Sequence, residues 1–244
     1  DKRNSHHSHT VWLGSVDRKE FEVVGRRLVD RYFAHPAYYR IDNTPVFCIY
    51  DPANLIEGLG SVEATADALA WLRDLAERHG LGRLHLQVIA RTGLHAQVTG
   101  VDGDHAAVQH HVIQTLGFDS VTHYQWVHLS GASDYATFAD QSIARWAEHE
   151  REHGLPVFPH VSIGWDNSPR YVDMPRRLVT GDTPELFQQA LQQARDFLDA
   201  RPDQPPLLTV NSWNEWTEGS YLEPDTHFKY AYLEAVRNVF GEKT

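Results

Sequence analysis

Two indoles, two amides and three carboxyl groups fall within Asn211-Ser212-Trp213-Asn214-Glu215-Trp216-Thr217-Glu218-Gly219-Ser220-Tyr221-Leu222-Glu223-Pro224. Glycosidic bond cleavage ordinarily needs two carboxyl groups at one bond, one of them to protonate the leaving oxygen. Indole faces stack on the apolar face of a sugar ring, while amides and carboxylates meet its hydroxyls. Glu215 and Glu218 are therefore the candidate catalytic pair, with Trp213, Asn214 and Trp216 as candidate binding residues. A plainer alternative stands beside this one, in which the indoles pack and the glutamates lie on a solvated loop. For catalysis one acid must stay protonated at working pH, held so by burial beside an indole or by the other carboxylate, and the second must stay ionised. A spacing of three along a regular strand would put the two side chains on opposite faces. The strand is therefore expected to end near Asn214 and the chain to turn, so that both acids reach one pocket.

The apolar run Leu207-Leu208-Thr209-Val210 reads as the strand that delivers this stretch. Upstream, strands and helices alternate. A helical pattern spans 16–33 through Phe21, Val24, Leu28, Val29 and Tyr32. The continuous run Val46-Phe47-Cys48-Ile49-Tyr50 reads as a strand buried on both faces. Further helices are expected over 62–79, 106–116, 135–153, 183–200 and 226–240, and further strands over 84–90, 120–126 and 157–164. Residues 94–104 read as loop. Thr183-Pro184 places a cap before a first-position proline.

Regular alternation implies a parallel sheet with helical crossovers, either doubly wound or a (β/α)8 barrel. Two features favour the barrel. Polar-aromatic clusters recur at strand ends (124–126, 165–170, 213–218), where barrels build sites. No Gly-rich phosphate loop follows a strand. Five βα units are fewer than eight, so the expectation is an α/β fold of TIM-barrel type, a single domain over 1–244 that lacks its N-terminal strands.

The other strand ends add candidates. Trp165, Asp166 and Arg170 could form a platform with hydroxyl-binding partners, although a structural Arg-Asp pair on a loop fits equally well. Tyr124 and Trp126 are further candidate wall residues. Glu223 could be a third site acid, although a loop-ordering role fits better, and His123, His128 and His160 could hydrogen-bond sugars, although core or loop positions are the more frequent outcome. No metal and no cofactor are expected. His6, His7 and His9 could bind a metal, although a solvated loop fits better, His110-His111 read as helix surface, and no His-Glu-x-x-His motif is read.

The bulk numbers bound the partners. The 244 residues carry a net charge of −11, which disfavours nucleic acid. No apolar stretch is long enough to span a membrane. Cys48 is the only cysteine, so no internal disulfide can form. Seven Trp and ten Tyr suit an oligosaccharide or polysaccharide substrate.

Three segments carry a resemblance: Tyr38 to Phe47, Gly164 to Arg170, and Trp213 to Gly219 with Leu222-Glu223-Pro224. They resemble the glycoside hydrolase family 99-like proteins, often labelled WbsX-type glycosyltransferases of polysaccharide assembly. The resemblance covers about residues 16–240. It implies a (β/α)8 barrel, metal-independent retaining cleavage of α-mannosides within a glycan, Glu218 as general acid/base, and Glu215 assisting the substrate 2-hydroxyl through an anhydro-sugar intermediate. Two other functions remain open. A nucleotide-sugar glycosyltransferase would want a diphosphate site, which Asp102-Gly103-Asp104 resembles only superficially. A glycan-binding barrel without chemistry would bind sugar in the absence of both glutamates.

Overall fold

The computed structural model describes residues 14–90, 94, 96–170 and 177–241. His6, His7 and His9 lie outside the described residues. The chain is an α/β fold that divides into two units. One comprises the described residues of 10–122 and 149–157, the other those of 123–148 and 158–244.

The first unit starts with α1 (Arg18–Arg27), capped by the Asp17 carboxylate, which accepts from the Glu20 amide. It continues into a π-helical segment, Leu28–Phe33. Phe21, Gly25, Val29 and Phe33 are the buried residues. A strict four-residue spacing drifts around an α-helix, and the wider π turns bring Val29 and Phe33 back to the buried face. Val24 and Tyr32, expected on that face, are 39% and 51% exposed. Gly25 is required where α1 meets a tryptophan, because a Cβ there would lie 2.7 Å from the Trp71 ring.

β1 (Arg40–Ile41) and β2 (Thr44–Ile49) form an antiparallel hairpin. Its turn residues, Asp42 and Asn43, both take positive φ, as a tight hairpin demands. β2 then pairs in parallel with β3 (His85–Ile89), and β3 with β4 (Ser120–Thr122). Leu86, Val88 and Val121 are fully buried. β2 is not buried on both faces as its apolar run suggested. Val46 and Phe47 are only half-buried, and Cys48 is exposed.

Pro52 opens α2 (Pro52–Leu59), where the sequence reading placed only a break. Asp51 caps that helix by accepting from the Asn54 amide, so the Asp-Pro pair is a start signal. α3 (Val62–Arg78) is capped by Ser61 and buries Ala68, Leu69, Leu72 and Leu75. A short helix, α4 (Ala96–Thr99), interrupts the expected loop. Asp104 caps α5 (His105–Leu116) through the Ala107 amide, so the Asp102-Gly103-Asp104 string has a structural use. Arg73 joins α3 to the β4 approach by donating to the Asp119 carboxylate at 2.6 Å.

The second unit contains β5 (His160–Ser162) and β6 (Thr209–Asn211), paired in parallel. The crossover between them is α7 (Pro184–Asp199), capped by Thr183. The sequence pattern extended both strands further than their ladder pairing. α6 (Tyr135–His153) belongs to this unit up to Glu148. The final helix is α8 (Ala231–Phe240), which buries Tyr232, Ala235 and Val239. It is shorter than expected because Asp225 folds the preceding segment into a turn. Its carboxylate accepts from the amides of His227, Phe228 and Lys229.

Candidate active site

β6 ends at Asn211, and the two-residue strand β7 (Asn214–Glu215) returns on β8 (Ser220–Tyr221). Between them lies a 3₁₀ turn, Trp216–Glu218. This turn breaks the alternation that would have separated the glutamates. Both carboxylates reach one guanidinium. Arg170 Nη1 donates to Glu218 Oε1 at 2.5 Å, and Arg170 Nη2 donates to Glu215 Oε1 at 2.8 Å. Thr217 donates its hydroxyl to Glu215 Oε1 at 2.8 Å, and Arg170 Nη2 also donates to Thr217 Oγ1. An Arg fork holds two carboxylates in fixed positions because its N–H bonds are coplanar and always charged.

The two acids sit in different environments. Glu218 is 8% exposed, and its Oε2 is buried with no partner among the described residues. Glu215 keeps about a third of its side chain exposed, at 35%. Burial raises the Glu218 pKa, Arg170 lowers it, and the Glu215 charge raises it again; the net direction is upward. Desolvation therefore outweighs the ion pair, and Glu218 is the group disposed to hold a proton.

Arg170 comes from the loop after β5, which is tied to the Trp216–Glu218 turn through the backbone. The Asp166 amide donates to the Glu218 carbonyl at 2.7 Å. Asp166 Oδ1 accepts from the Ser168 amide, and the Arg170 amide closes the turn onto the Asn167 carbonyl. Asp166 is thus committed to shaping the loop that presents Arg170. Gly219 sits where these two segments touch. Its φ is +62°, and a Cβ would lie 3.0 Å from Asp166 Cβ and 3.1 Å from the Asp166 amide nitrogen. Gly219→Ala is expected to lose about 1–2 kcal/mol for the left-handed backbone alone. The contact with Asp166 adds to this, and the urea midpoint measures the sum.

The indoles divide. Trp213 and Trp216 are 52% and 44% exposed beside the glutamates, as sugar platforms would be. Trp216 is fixed on one side by Tyr221, stacked at 3.7 Å with planes 17° apart. Its Nε1 donates to Glu223 at 2.7 Å, which gives Glu223 the loop-ordering use expected of it. Asn214, in β7, is exposed. Trp165 and Tyr124 are partly buried. Trp126 is a correction. It is 0% exposed, donates from Nε1 to the His160 carbonyl at 2.8 Å and packs on Tyr135 and Phe138, so it can offer no face to a sugar. An aromatic at a strand end looks alike in sequence whether it faces the opening or the core.

Several polar residues behind the turn escaped the sequence reading. Gln125 Nε2 donates to Asn211 Oδ1 at 2.6 Å and to Ser220 Oγ at 3.2 Å, and Ser220 donates to the Gly164 carbonyl at 2.5 Å. This network joins the ends of β5, β6 and β8. Asp182 lies over Gly164, where a Cβ would come 2.7 Å from its Oδ2. Burial, reinforced by Asp166, pushes its carboxyl up to about 6. Only the glycine gave any signal of this arrangement. His160 is a core residue. Burial pushes it down to about 3, and its Nδ1 lies 2.8 Å from Thr209 Oγ1. A cleft of about 500 Å³ elsewhere in this unit is lined by Leu191, Leu198, Leu207, Val236 and Phe240. It includes neither glutamate, and its single carboxylate, Asp199, is paired with Arg195 at 3.5 Å, so the strand-end cluster with its two carboxylates is the better candidate site.

A family model described as Glycosyltransferase WbsX matches residues 10–236. The chain belongs to this family. It is 28% identical over 230 residues to a protein named WxcX from Xanthomonas campestris pv. campestris strain B100, covering 94% of this chain and 31% of that one. The WxcX of strain ATCC 33913 is 27% identical over the same span. The chain thus spans about a third of the length of these curated relatives. Among solved structures, the family 99 endo-α-mannosidase of Bacteroides thetaiotaomicron aligns with TM-score 0.54 and 18% identity, covering 92% of this chain and 61% of that one. A second structure of that enzyme, in complex with BIS-TRIS-propane, aligns with TM-score 0.60 and 17% identity, covering 95% and 66%. This WbsX-family chain therefore has an α/β fold similar to that of family 99 enzymes. Among its described residues no helix is long and apolar enough to cross a membrane.

The expectation of no metal motif needs correcting on the sequence itself. His149-Glu150-Arg151-Glu152-His153 has the His-Glu-x-x-His spacing, and three of its side chains come together in the structure.

Proposed function

We propose that this chain contributes the carboxylate half of a glycan-cleaving site in a (β/α)8-type enzyme, acting within a mannose-containing or related polysaccharide. The observation that carries the reading is the Arg170 fork, which gathers a buried glutamate and one about a third exposed beside two exposed indoles. Glu218, with its pKa raised by burial, is the proton donor to the leaving oxygen. Its Oε2 accepts no hydrogen bond among the described residues, so it is the oxygen left to carry that proton. Glu215, held as an acceptor by Arg170 and Thr217, acts at the anomeric side, directly or through the substrate 2-hydroxyl. Trp213 and Trp216 are the sugar platforms, and Asn214, Trp165 and Tyr124 complete the wall. The likeness to endo-α-mannosidase structures and the mechanism of the resembling family support a retaining outcome.

A second reading rests on the family description, which names a glycosyltransferase. The two readings are separated by offering the full-length protein mannose-containing and bacterial surface glycans in one arm and nucleotide sugars in the other. Hydrolysis predicts new reducing ends without nucleotide-sugar consumption. Consumption of a nucleotide sugar without new reducing ends would establish transfer instead.

A further inference from the structure

We propose that the last turn of α6 binds a first-row transition-metal dication, with Zn²⁺ the ion its donors suit best. His149 and His153 are four residues apart and share one helix face. His149 Nδ1 lies 3.4 Å from His153 Nε2 and 3.3 Å from Glu152 Oε2. The three donor atoms all fall within 4.8 Å of one another. Bonds of about 2.0–2.1 Å to a tetrahedral ion set neighbouring ligand atoms about 3.3–3.4 Å apart, so two of the three edges already match. Both imidazoles are buried, at 3% and 2% exposure, while 34% of the Glu152 side chain is exposed. The ion would enter from the carboxylate side.

The surroundings hold the donors in place. The His110 ring stacks on His153 with planes 10° apart, and Gln114 Nε2 donates to the His153 carbonyl at 2.6 Å. Gly154 ends the helix with φ +64°, so the site lies at a helix C-terminus, where backbone carbonyls favour a cation. Two nitrogens and one oxygen select Zn²⁺ and its neighbours over Mg²⁺ and Ca²⁺, which take oxygen ligands. Glu150, in the position where metal-dependent proteases carry their base, is not among the three donors. The site therefore binds a metal and does not imply hydrolysis through it. It lies in the other unit from the glutamates, so it stands independently of the proposed function.

The test uses the full-length protein, stripped with chelator, with His6, His7 and His9 replaced by alanine to remove a competing site. ZnCl₂ is titrated calorimetrically into this background, into its Glu152→Gln variant, and into a His149→Gln/His153→Gln variant. One Zn²⁺ more per chain is expected to bind to the background than to the double-histidine variant. Glu152→Gln is expected to weaken that binding by about 10-fold or more, at least what losing an outer-shell partner costs. Zn²⁺, but not Mg²⁺, should raise the melting temperature of the background and raise that of Glu152→Gln less. Equal stoichiometry and affinity in the background and Glu152→Gln would overturn the proposal. That result would mean that the cluster is held by hydrogen bonding and ion pairing without a metal. Glu152 is exposed, so its variant decides the matter even if the double-histidine variant does not fold.

Discussion

Glu218→Gln in the full-length protein is expected to lower kcat on a cleavable glycan by about 10²–10⁴-fold, the usual range for loss of a positioned general acid. Glutamine keeps the volume and one acceptor but cannot donate a proton to the leaving oxygen. Its amide oxygen can still accept from Arg170, so the turn should hold and KM should change little. A split with kcat lost and KM preserved identifies a group that acts in the transition state. Near-UV circular dichroism confirms that the variant is folded. An unchanged kcat would remove Glu218 from the reaction.

Arg170→Gln is the second large effect, and its sign can be worked out. Arg170 stabilises the ionised form of Glu218, so its removal raises a pKa that burial has already raised. A general acid works while protonated, and activity is lost as pH rises through its pKa. The alkaline limb of the pH–rate profile should therefore move upward by about 1 unit, the low end of what a nearby opposite charge supplies. Two carboxylates would also lose the fork that spaces them. Misplacement by about 1 Å can cost on the order of 10²-fold, so the optimum rate should fall even as the limb moves up. A limb that moved downward would show that Arg170 acts on some other group.

The sequence made much of this arrangement legible, and the failures have physical causes. The start of α7 was clear because a Thr cap and a first-position proline precede its apolar period, and α6 was clear from its apolar period alone. The chain's turn between Glu215 and Glu218 followed from chemistry: two acids three apart can cooperate only if the strand stops. Arg170 could be placed near them because it sits at another strand end. Its grip on both carboxylates depends on the Asp166 turn and the touch of Gly219, which no spacing reveals. Trp126 misled because a strand-end aromatic can point either way, and its Nε1 found a backbone carbonyl inside. α2 was lost because Asp51-Pro52 reads as a break, although the same pair caps and starts a helix. Gln125, Ser220 and Asp182 are ordinary residues in sequence and matter only because the folded chain brings three strand ends together. The His149-Glu150-Arg151-Glu152-His153 turn is legible in the sequence by its spacing alone, among sixteen histidines.

The measurement that bears most directly on the carboxylate pair is proton NMR of the first product released when the full-length protein acts on an α-mannoside-containing polysaccharide, with Glu215→Gln and Glu218→Gln run in parallel. The pair predicts new reducing ends that first appear with the α configuration from the parent protein and are lost from both variants. New ends of the inverted configuration, or ends that persist in either variant, would contradict it.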